Sequence, residues 1–229
     1  RGMVWPMLRT VPNDTHASLM RKMGWNPLEN VFLGGYAIKE KVQSITLDGV
    51  MTVKSLCPVR RGNVELTRVL FPSTTKPTFI EKYTLKNLAE NPVKVEGNKV
   101  RNKAKTPKER GTKGKYTIIQ DLKSNIFKEL KPQEEITFYV TTTGYEEGEK
   151  EFDFNYEAEL LARRNLVNEL WDNLVLKTPD PVINTMFAFA KIRGSESIYD
   201  TAGGLLHGPG GESYYAAIWA NDQAEYINP

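Results

Sequence analysis

Residues 43–53, Gln-Ser-Ile-Thr-Leu-Asp-Gly-Val-Met-Thr-Val, decide the fold class of this 229-residue chain. Apolar and polar side chains alternate on both sides of Asp48-Gly49. A period of two is typical of a strand that buries one face, and Asp-Gly between two such runs is a strong short-range signal for a hairpin. The stretch therefore predicts two antiparallel strands.

Similar short runs fill the first 150 residues. They lie at 64–71, 78–85, 92–96, 115–119 and 135–143, each bounded by turn residues such as Pro72 or Lys131-Pro-Gln-Glu134. Strands at regular intervals, with no helical pattern between them, indicate an antiparallel sandwich. We therefore expect a mainly β fold, with an antiparallel β-sandwich domain over residues 1–156. The one helix expected here spans 16–23, capped by Asp14 or Thr15 and ended by Gly24.

The pattern changes after an acidic connector at 145–160. Apolar residues at helical spacing follow and predict a linker helix over 157–177 (Leu160, Leu161, Val167, Leu170, Trp171, Leu174). In Thr178-Pro-Asp-Pro181, Asp180 suits an N-cap and Pro181 a first helical position. The next helix, at 182–192, is apolar nearly all round, so we expect it to be buried inside a helical domain that begins at 178.

Charge and composition exclude several classes of protein. No run approaches the roughly 18 apolar residues of a membrane span, and a single cysteine, Cys57, excludes an internal disulfide framework and predicts a small buried side chain. The net charge of +3 is uneven, because residues 94–115 hold nine Lys or Arg and two Glu, which leaves −4 elsewhere. The only aromatic residue nearby is Tyr116, just beyond this basic stretch, so nucleic acid is not expected as a partner. We interpret the stretch as a solvated loop between strands, with a polyanion-binding patch as the alternative.

The candidate site lies near the end of the sequence. A glycine-rich stretch at 202–211, which contains His207, precedes Tyr214-Tyr-Ala-Ala-Ile-Trp219-Ala-Asn-Asp222. On a helix, Trp219 and Asp222 share one face that Tyr215 extends, and Glu225 lies close to it. Aromatic rings beside carboxylates suit a sugar, whose C–H faces stack on rings and whose hydroxyls donate to carboxylates. His207 either contacts substrate or caps backbone groups of the glycine-rich stretch.

These features resemble the six-hairpin glycosidases, glycoside hydrolases with an N-terminal β-supersandwich and a catalytic (α/α)6 toroid. The resemblance rests on the order of elements and on Trp219-x-x-Asp222. It also rests on two strand-and-turn phrases, Phe79-Ile-Glu-Lys-Tyr-Thr-Leu-Lys-Asn87 and Leu130-Lys-Pro-Gln-Glu-Glu-Ile-Thr-Phe138.

The resemblance implies an activity and the roles of several residues. Trp219 is expected to form a wall of the cleavage subsite, and Asp222 to bind sugar hydroxyls or to act as the general acid. Asn221 stands where this family often has arginine, so the sugar specificity stays open. A toroid of six helical hairpins needs more helices than this chain supplies, so we expect a fragment without hydrolase activity of its own. Its expected partners are an oligo- or polysaccharide and the rest of its helical domain, in the periplasm of a bacterium or outside the cell.

Two other classes of function remain as alternatives. The main one is a non-catalytic carbohydrate-binding or structural β-sandwich. A mutarotase-like enzyme is disfavoured, because it needs a His and Glu pair on the sheet and only His16 precedes residue 160. No cofactor is expected, and His16 and His207 lack the spaced partner residues that a metal site needs.

Overall fold

The structure, a computed structural model, describes residues 2–6, 18–111, 113–201 and 204–207. Its strands are β1 Gly2–Pro6, β2 Ser18–Lys22, β3 Val31–Leu33, β4 Tyr36–Ala37, β5 Lys41–Leu47, β6 Met51–Val59, β7 Gly62–Pro72, β8 Thr78–Asn87, β9 Val93–Gly97, β10 Val100–Lys105, β11 Thr117–Leu122, β12 Ile126–Leu130, β13 Glu135–Tyr145, β14 Ile198–Thr201 and β15 Gly204–His207. The two α-helices are α1 Tyr156–Asp172 and α2 Pro181–Glu196. Short 3-10 turns lie at Pro27–Asn30 and Lys108–Arg110.

Two antiparallel sheets form the main body and confirm the predicted sandwich. The larger has seven strands in the order β10-β11-β13-β8-β7-β6-β5, and the smaller has four in the order β12-β9-β3-β4. Two separate hairpins, β1-β2 and β14-β15, account for the other strands of the described residues. The described part of the chain is therefore mainly β, with α1 and α2 after the last strand of the large sheet.

The main core lies between the two sheets. In β8 the odd-numbered side chains Tyr83 and Leu85 are fully buried, and the ring of Tyr83 stacks on that of Phe138 at 5.0 Å. The small sheet contributes Val31 and Val95 to the same cluster. Alternation along each strand therefore directs one face of each sheet into a shared interior. Cys57 is fully buried there, as predicted, and burial raises the pKa of its thiol to about 11.

The Asp48-Gly49 hairpin forms as expected between β5 and β6. The side chain of Asp48 accepts a hydrogen bond from the N–H of Val50, and Gly49 has a φ of +86°. A Cβ at position 49 would overlap the side chain of Val167 on α1. Glycine is thus required here twice, for the turn and for the close approach of the helix.

Both helices begin with side-chain caps, of which the sequence analysis predicted the one at Asp180. Asn155 accepts from the N–H of Ala158, and Asp180 accepts from the N–H of Val182 at 2.8 Å with Pro181 in the first turn. The face that α1 buries shares only Val167 with the predicted apolar one. Its buried residues are Glu159, Arg163 and Val167, spaced four apart.

Two sequence predictions were wrong. Residues 18–22 form β2, paired with β1, instead of the end of a helix at 16–23. A helix of eight residues is only marginally stable by itself, whereas pairing with β1 gives the backbone of 18–22 its hydrogen bonds. Part of the basic stretch 94–115 is a strand instead of a loop: β10 spans Val100–Lys105, where Arg101 and two lysines alternate with smaller residues. Charged side chains are compatible with an edge strand, since one side remains in water.

Candidate functional site

Four of the five predicted site residues, Tyr215, Trp219, Asp222 and Glu225, lie outside the described residues. The fifth, His207, is the last residue of β15, half-buried and opposite Ile198 of β14 in the hairpin register. This hairpin follows α2 after Ser197 alone. Of the predicted site the structure therefore describes His207 and the two helices that connect the sandwich to its hairpin.

The connector into α1 is held on the large sheet by aromatic rings. Tyr156 stacks on Tyr139 of β13 at 4.3 Å and lies 5.9 Å from Phe154. Both pack against a second cluster of buried residues on the outer face of this sheet, which includes Phe71 and Ile80. The sheet is thus covered on both faces at this end, by the small sheet and by the connector.

A carboxylate near the start of α1 joins this contact. Lys82 bonds to Glu157 at 2.6 Å, and the hydroxyl of Tyr139 also donates to Glu157. The hydrogen bond from Lys82, together with that from Tyr139, lowers the pKa of Glu157. Burial, and then its bond to Glu157, raise the pKa of Tyr139. This end of α1 is therefore fixed to the sheet by both stacking and charge.

Two residues further on, Glu159 is buried against the loop between β7 and β8. The hydroxyl of Ser73 donates to it at 2.6 Å, and the ammonium of Lys76 lies at 3.1 Å. Two backbone N–H groups of the same loop, at Thr75 and Lys76, donate in turn to the Ser73 oxygen. The loop thus supplies a hydroxyl and an ammonium donor to the carboxylate of Glu159, and a buried charge needs such partners.

Arg163 connects three elements. Its Nε donates to the carbonyl oxygen of Gly49 at 2.9 Å, and its guanidinium also pairs with Glu196 at the end of α2. The side chain is 4% exposed. The β5–β6 hairpin, α1 and α2 therefore meet at one arginine.

The second helix is far less buried than its sequence predicts. Of its side chains only Ile192 is fully buried, whereas Val182, Ile183 and Met186 are 71%, 42% and 64% exposed. Lys191 ties it to the end of α1 by donating to the carbonyls of Trp171, Asn173 and Leu174. A helix with apolar residues on nearly all sides has thus only one side covered within the described residues.

The outer face of the small sheet carries a second feature that sequence reasoning missed. Phe127 of β12, Glu96 of β9 and Phe32 of β3 are directly opposite one another in the register, so a carboxylate lies between two phenyl rings. Phe127 is 74% exposed, with the ammonium of Lys94 at 4.8 Å from its ring centre. The sequence pattern that could have revealed this row is the alternation from Ile126 to Leu130, which directs Phe127 outward. No strand was predicted at these residues.

Metal and membrane features are limited in the described residues. Within those ranges, no group of three or more His, Cys, Asp or Glu side chains is placed to hold a metal ion. None of the helices described is both long and apolar enough to cross a membrane.

No protein-family model matches the chain, and no curated protein matches it significantly.

Proposed function

We propose that this chain provides the β-sandwich, the linker helix and the first helices of a glycoside hydrolase with an (α/α)6 toroid. One observation carries the proposal: α2 is apolar nearly all round, yet Val182, Ile183 and Met186 remain exposed. Such a helix needs a covering of further apolar helices, which a toroid of helical hairpins supplies. The resemblance of the sequence to six-hairpin glycosidases supports the same conclusion.

The contacts of α1 agree with a sandwich that supports a helical domain. Glu159 and Arg163 are buried with hydrogen-bond partners on the sheet loops, and Val167 packs against Gly49. Buried polar contacts with several directional bonds fix the orientation of a helix more narrowly than apolar contacts alone. The sandwich would thus hold the start of the toroid in one position.

The proposed chemistry requires two carboxyl groups on opposite sides of a glycosidic bond. A protonated carboxyl donates to the leaving oxygen while the sugar passes through an oxocarbenium-like transition state. In this proposal Trp219 forms a wall of the subsite and Asp222 binds sugar hydroxyls, while Tyr215, His207 and Glu225 line its surroundings. The second carboxyl group comes from outside this chain, and the complete enzyme acts in the periplasm or outside the cell.

Turnover tests the proposal. The product of the complete gene is assayed on a panel of aryl glycosides and polysaccharides, beside its Asp222→Asn variant and the control Asp172→Asn, an exposed position at the end of α1. We expect hydrolysis that falls at least about a hundredfold in Asp222→Asn and is unchanged in Asp172→Asn. The 229-residue chain alone should release no sugar, and turnover by it would refute the fragment hypothesis.

A second candidate is a non-catalytic carbohydrate-binding module, favoured by the row Phe127, Glu96 and Phe32. Neighbouring strands lie about 4.8 Å apart, so the two rings are separated by about 10 Å on a solvent-facing surface. Sugar rings could stack on the phenyl groups while Glu96 accepts their hydroxyls.

Affinity for neutral oligosaccharides distinguishes this candidate. Binding by the 229-residue chain that is lost in Phe127→Ala favours a binding module. The control is Tyr36→Ala, another highly exposed aromatic residue on the same sheet. No binding, or equal loss in both variants, rejects it.

A further inference from the structure

Three basic residues form a row along one edge of the seven-stranded sheet. In the edge strand β10, Arg101, Lys103 and Lys105 alternate with Asn102 and Ala104, so the three cations share one face. Their exposed fractions follow the same alternation. A cationic row on a sheet face is therefore built into the strand pairing.

The register gives these cations different partners. Arg101 is opposite Asp121 of β11 and pairs with it at 3.0 Å. Lys103 is opposite Ile119 and Lys105 is opposite Thr117, neither of which carries a charge. The pairing of β10 with β11 thus neutralises one cation and leaves two without a carboxylate across the strand.

A cleft of about 220 Å³ lies beside these lysines. In the sheet β11 lies between β10 and β13, so Thr117 and Ile119 lie between the lysines of β10 and the loop of glutamates at 146–151 that follows Tyr145 of β13. All of these residues line the cleft, and the loop is called its glutamate wall. Lys115 adds a third ammonium group to its lining. The cleft therefore places the two lysines of β10 on one side and the carboxylates of the glutamate wall on the other.

The carboxylates of that wall are already engaged. Glu146 pairs with Lys113 at 2.8 Å, and Glu151 pairs with Arg101. Glu147 and Glu149 accept backbone N–H groups, from Lys115 at 3.3 Å and from Glu146 at 2.9 Å. The bond from Arg101 lowers the pKa of Glu151, as expected of a carboxylate held in its charged form.

The lysines of the cleft are not engaged in this way. Among the residues that the structure describes, Lys103, Lys105 and Lys115 form no ion pair with a carboxylate. A cationic ligand would face three ammonium groups, and two of the four carboxylates, Glu146 and Glu151, are already ion-paired. An anionic group fits the lysines, whereas the remaining lone pairs of the glutamates can accept hydroxyl hydrogens.

We propose that this cleft binds a sugar that carries a carboxylate, with the carboxylate on Lys103, Lys105 and Lys115 and the hydroxyls on the glutamate wall. The proposal rests on the proposed function only in taking carbohydrate as the ligand class. The volume suits one sugar ring, and the position at a sheet edge leaves room for a chain to continue. Stacking of nucleic-acid bases is disfavoured, because Tyr116 and Tyr145, the aromatic residues nearby, are buried.

Titration of the 229-residue chain tests this site. Glucuronate, glucose, glycine and inorganic sulfate are titrated separately, with binding followed by NMR chemical shifts. We expect shifts at residues 103–105 and 115–119 with glucuronate, and affinity at least about tenfold higher than for the other three ligands. Raising sodium chloride from about 0.01 M to about 1 M, over which the Debye length falls from about 30 Å to about 3 Å, should weaken binding.

Variants locate the site. Replacing both lysines, Lys103→Gln with Lys105→Gln, should weaken glucuronate binding about tenfold, whereas Lys54→Gln, an exposed lysine of β6, should not change it. The fold is checked by far-UV circular dichroism, and glucuronate binding to a folded double variant at the original affinity overturns the proposal.

Each ligand also has an outcome that overturns the proposal. If glucose binds as tightly as glucuronate, the lysines do not select a carboxylate. If sulfate binds as tightly, the sugar hydroxyls do not contribute to affinity. If glycine binds as tightly, the cleft is a site for zwitterions. Failure here is distinguishable from failure of the proposed hydrolase, which is measured by turnover and by Asp222→Asn.

Discussion

The sandwich and the helical segment bury apolar side chains to very different extents. Between the sheets, Val31, Leu66, Tyr83 and Val140 are all inaccessible to solvent. In α2, by contrast, Ile192 is the only residue buried. The sandwich has a core of its own, whereas the helices depend on a few contacts with the sheet and with each other.

The contacts that hold the helical segment are also of another kind. At the sandwich, α1 uses two buried charged residues, Glu159 and Arg163, with Val167 beside them. Hydrogen bonds to buried charged groups are directional and lose their value when one partner is removed. Removal of apolar volume should therefore damage the sandwich most, and removal of one charged partner should damage the helical segment most.

The largest effect is expected from a cavity in the sandwich. Leu66 is fully buried in the main core, so Leu66→Ala should lower the free energy of unfolding by about 2–5 kcal/mol. Urea unfolding followed by far-UV circular dichroism measures the loss. The matched control is Leu161→Ala on α1, where the side chain is 60% exposed and the expected change is within about 0.5 kcal/mol. Equal losses in the two variants would contradict the difference drawn between the regions.

A smaller, local effect is expected at the helical junction. Arg163→Ala removes the partner of the Gly49 carbonyl and of Glu196, and it should lower the stability of helix docking by about 1–3 kcal/mol. Amide hydrogen exchange should then be faster in α1 and α2. Labelling of Cys57 should stay slow, because that thiol is buried between the sheets with a pKa raised to about 11.

Arg164→Ala is the control for this variant, since the neighbouring arginine is exposed. It should leave the exchange of both helices unchanged. If Arg163→Ala instead speeds Cys57 labelling as much as Leu66→Ala does, the helices and the sandwich unfold together and the two regions are one cooperative unit.

The sandwich was predictable from the sequence because its determinants are local. Alternation and the Asp48-Gly49 turn specify strands within a few residues, and the caps at Asp180 and Pro181 specify the start of α2 in the same way. The sites of contact were not predictable. That α1 buries Glu159 and Arg163 and exposes Leu161 depends on donors and acceptors from Ser73 and Gly49, which are distant in sequence.

The same limit applies to the candidate sites. The charge pattern predicts a loop at Lys103 and Lys105. The pattern is no guide here, because a charged segment becomes a strand only through pairing with a neighbour, which is β11 in this sheet. The row of Phe127, Glu96 and Phe32 needs the register of three strands that are not consecutive in the chain. For the predicted sugar site, the structure describes only His207, so Asp222 and Trp219 remain predictions.

The smallest expected effect is a pH-dependent one at the start of α1. The hydrogen bond from Lys82 lowers the pKa of Glu157 in the folded state. The charge of Glu157 therefore stabilises the fold at pH values above the unfolded pKa of about 4.3. This contribution is lost as the pH falls through the lower folded pKa. Because the Glu157 side chain is 60% exposed, solvent screening keeps the contribution within about 0.2–1 kcal/mol.

Glu157→Gln isolates this charge, since glutamine retains an oxygen acceptor for Tyr139. Urea midpoints should show the original chain to be more stable than the variant at pH 7, with the difference shrinking below about pH 4 and in about 1 M salt. Glu169→Gln, an exposed position on the same helix, should show no such difference. If the difference in urea midpoint between the original chain and Glu157→Gln persists unchanged in acid, Glu157 acts through packing and not through its charge. Glu159 and Arg163 would then be the charged residues that hold α1 on the sandwich.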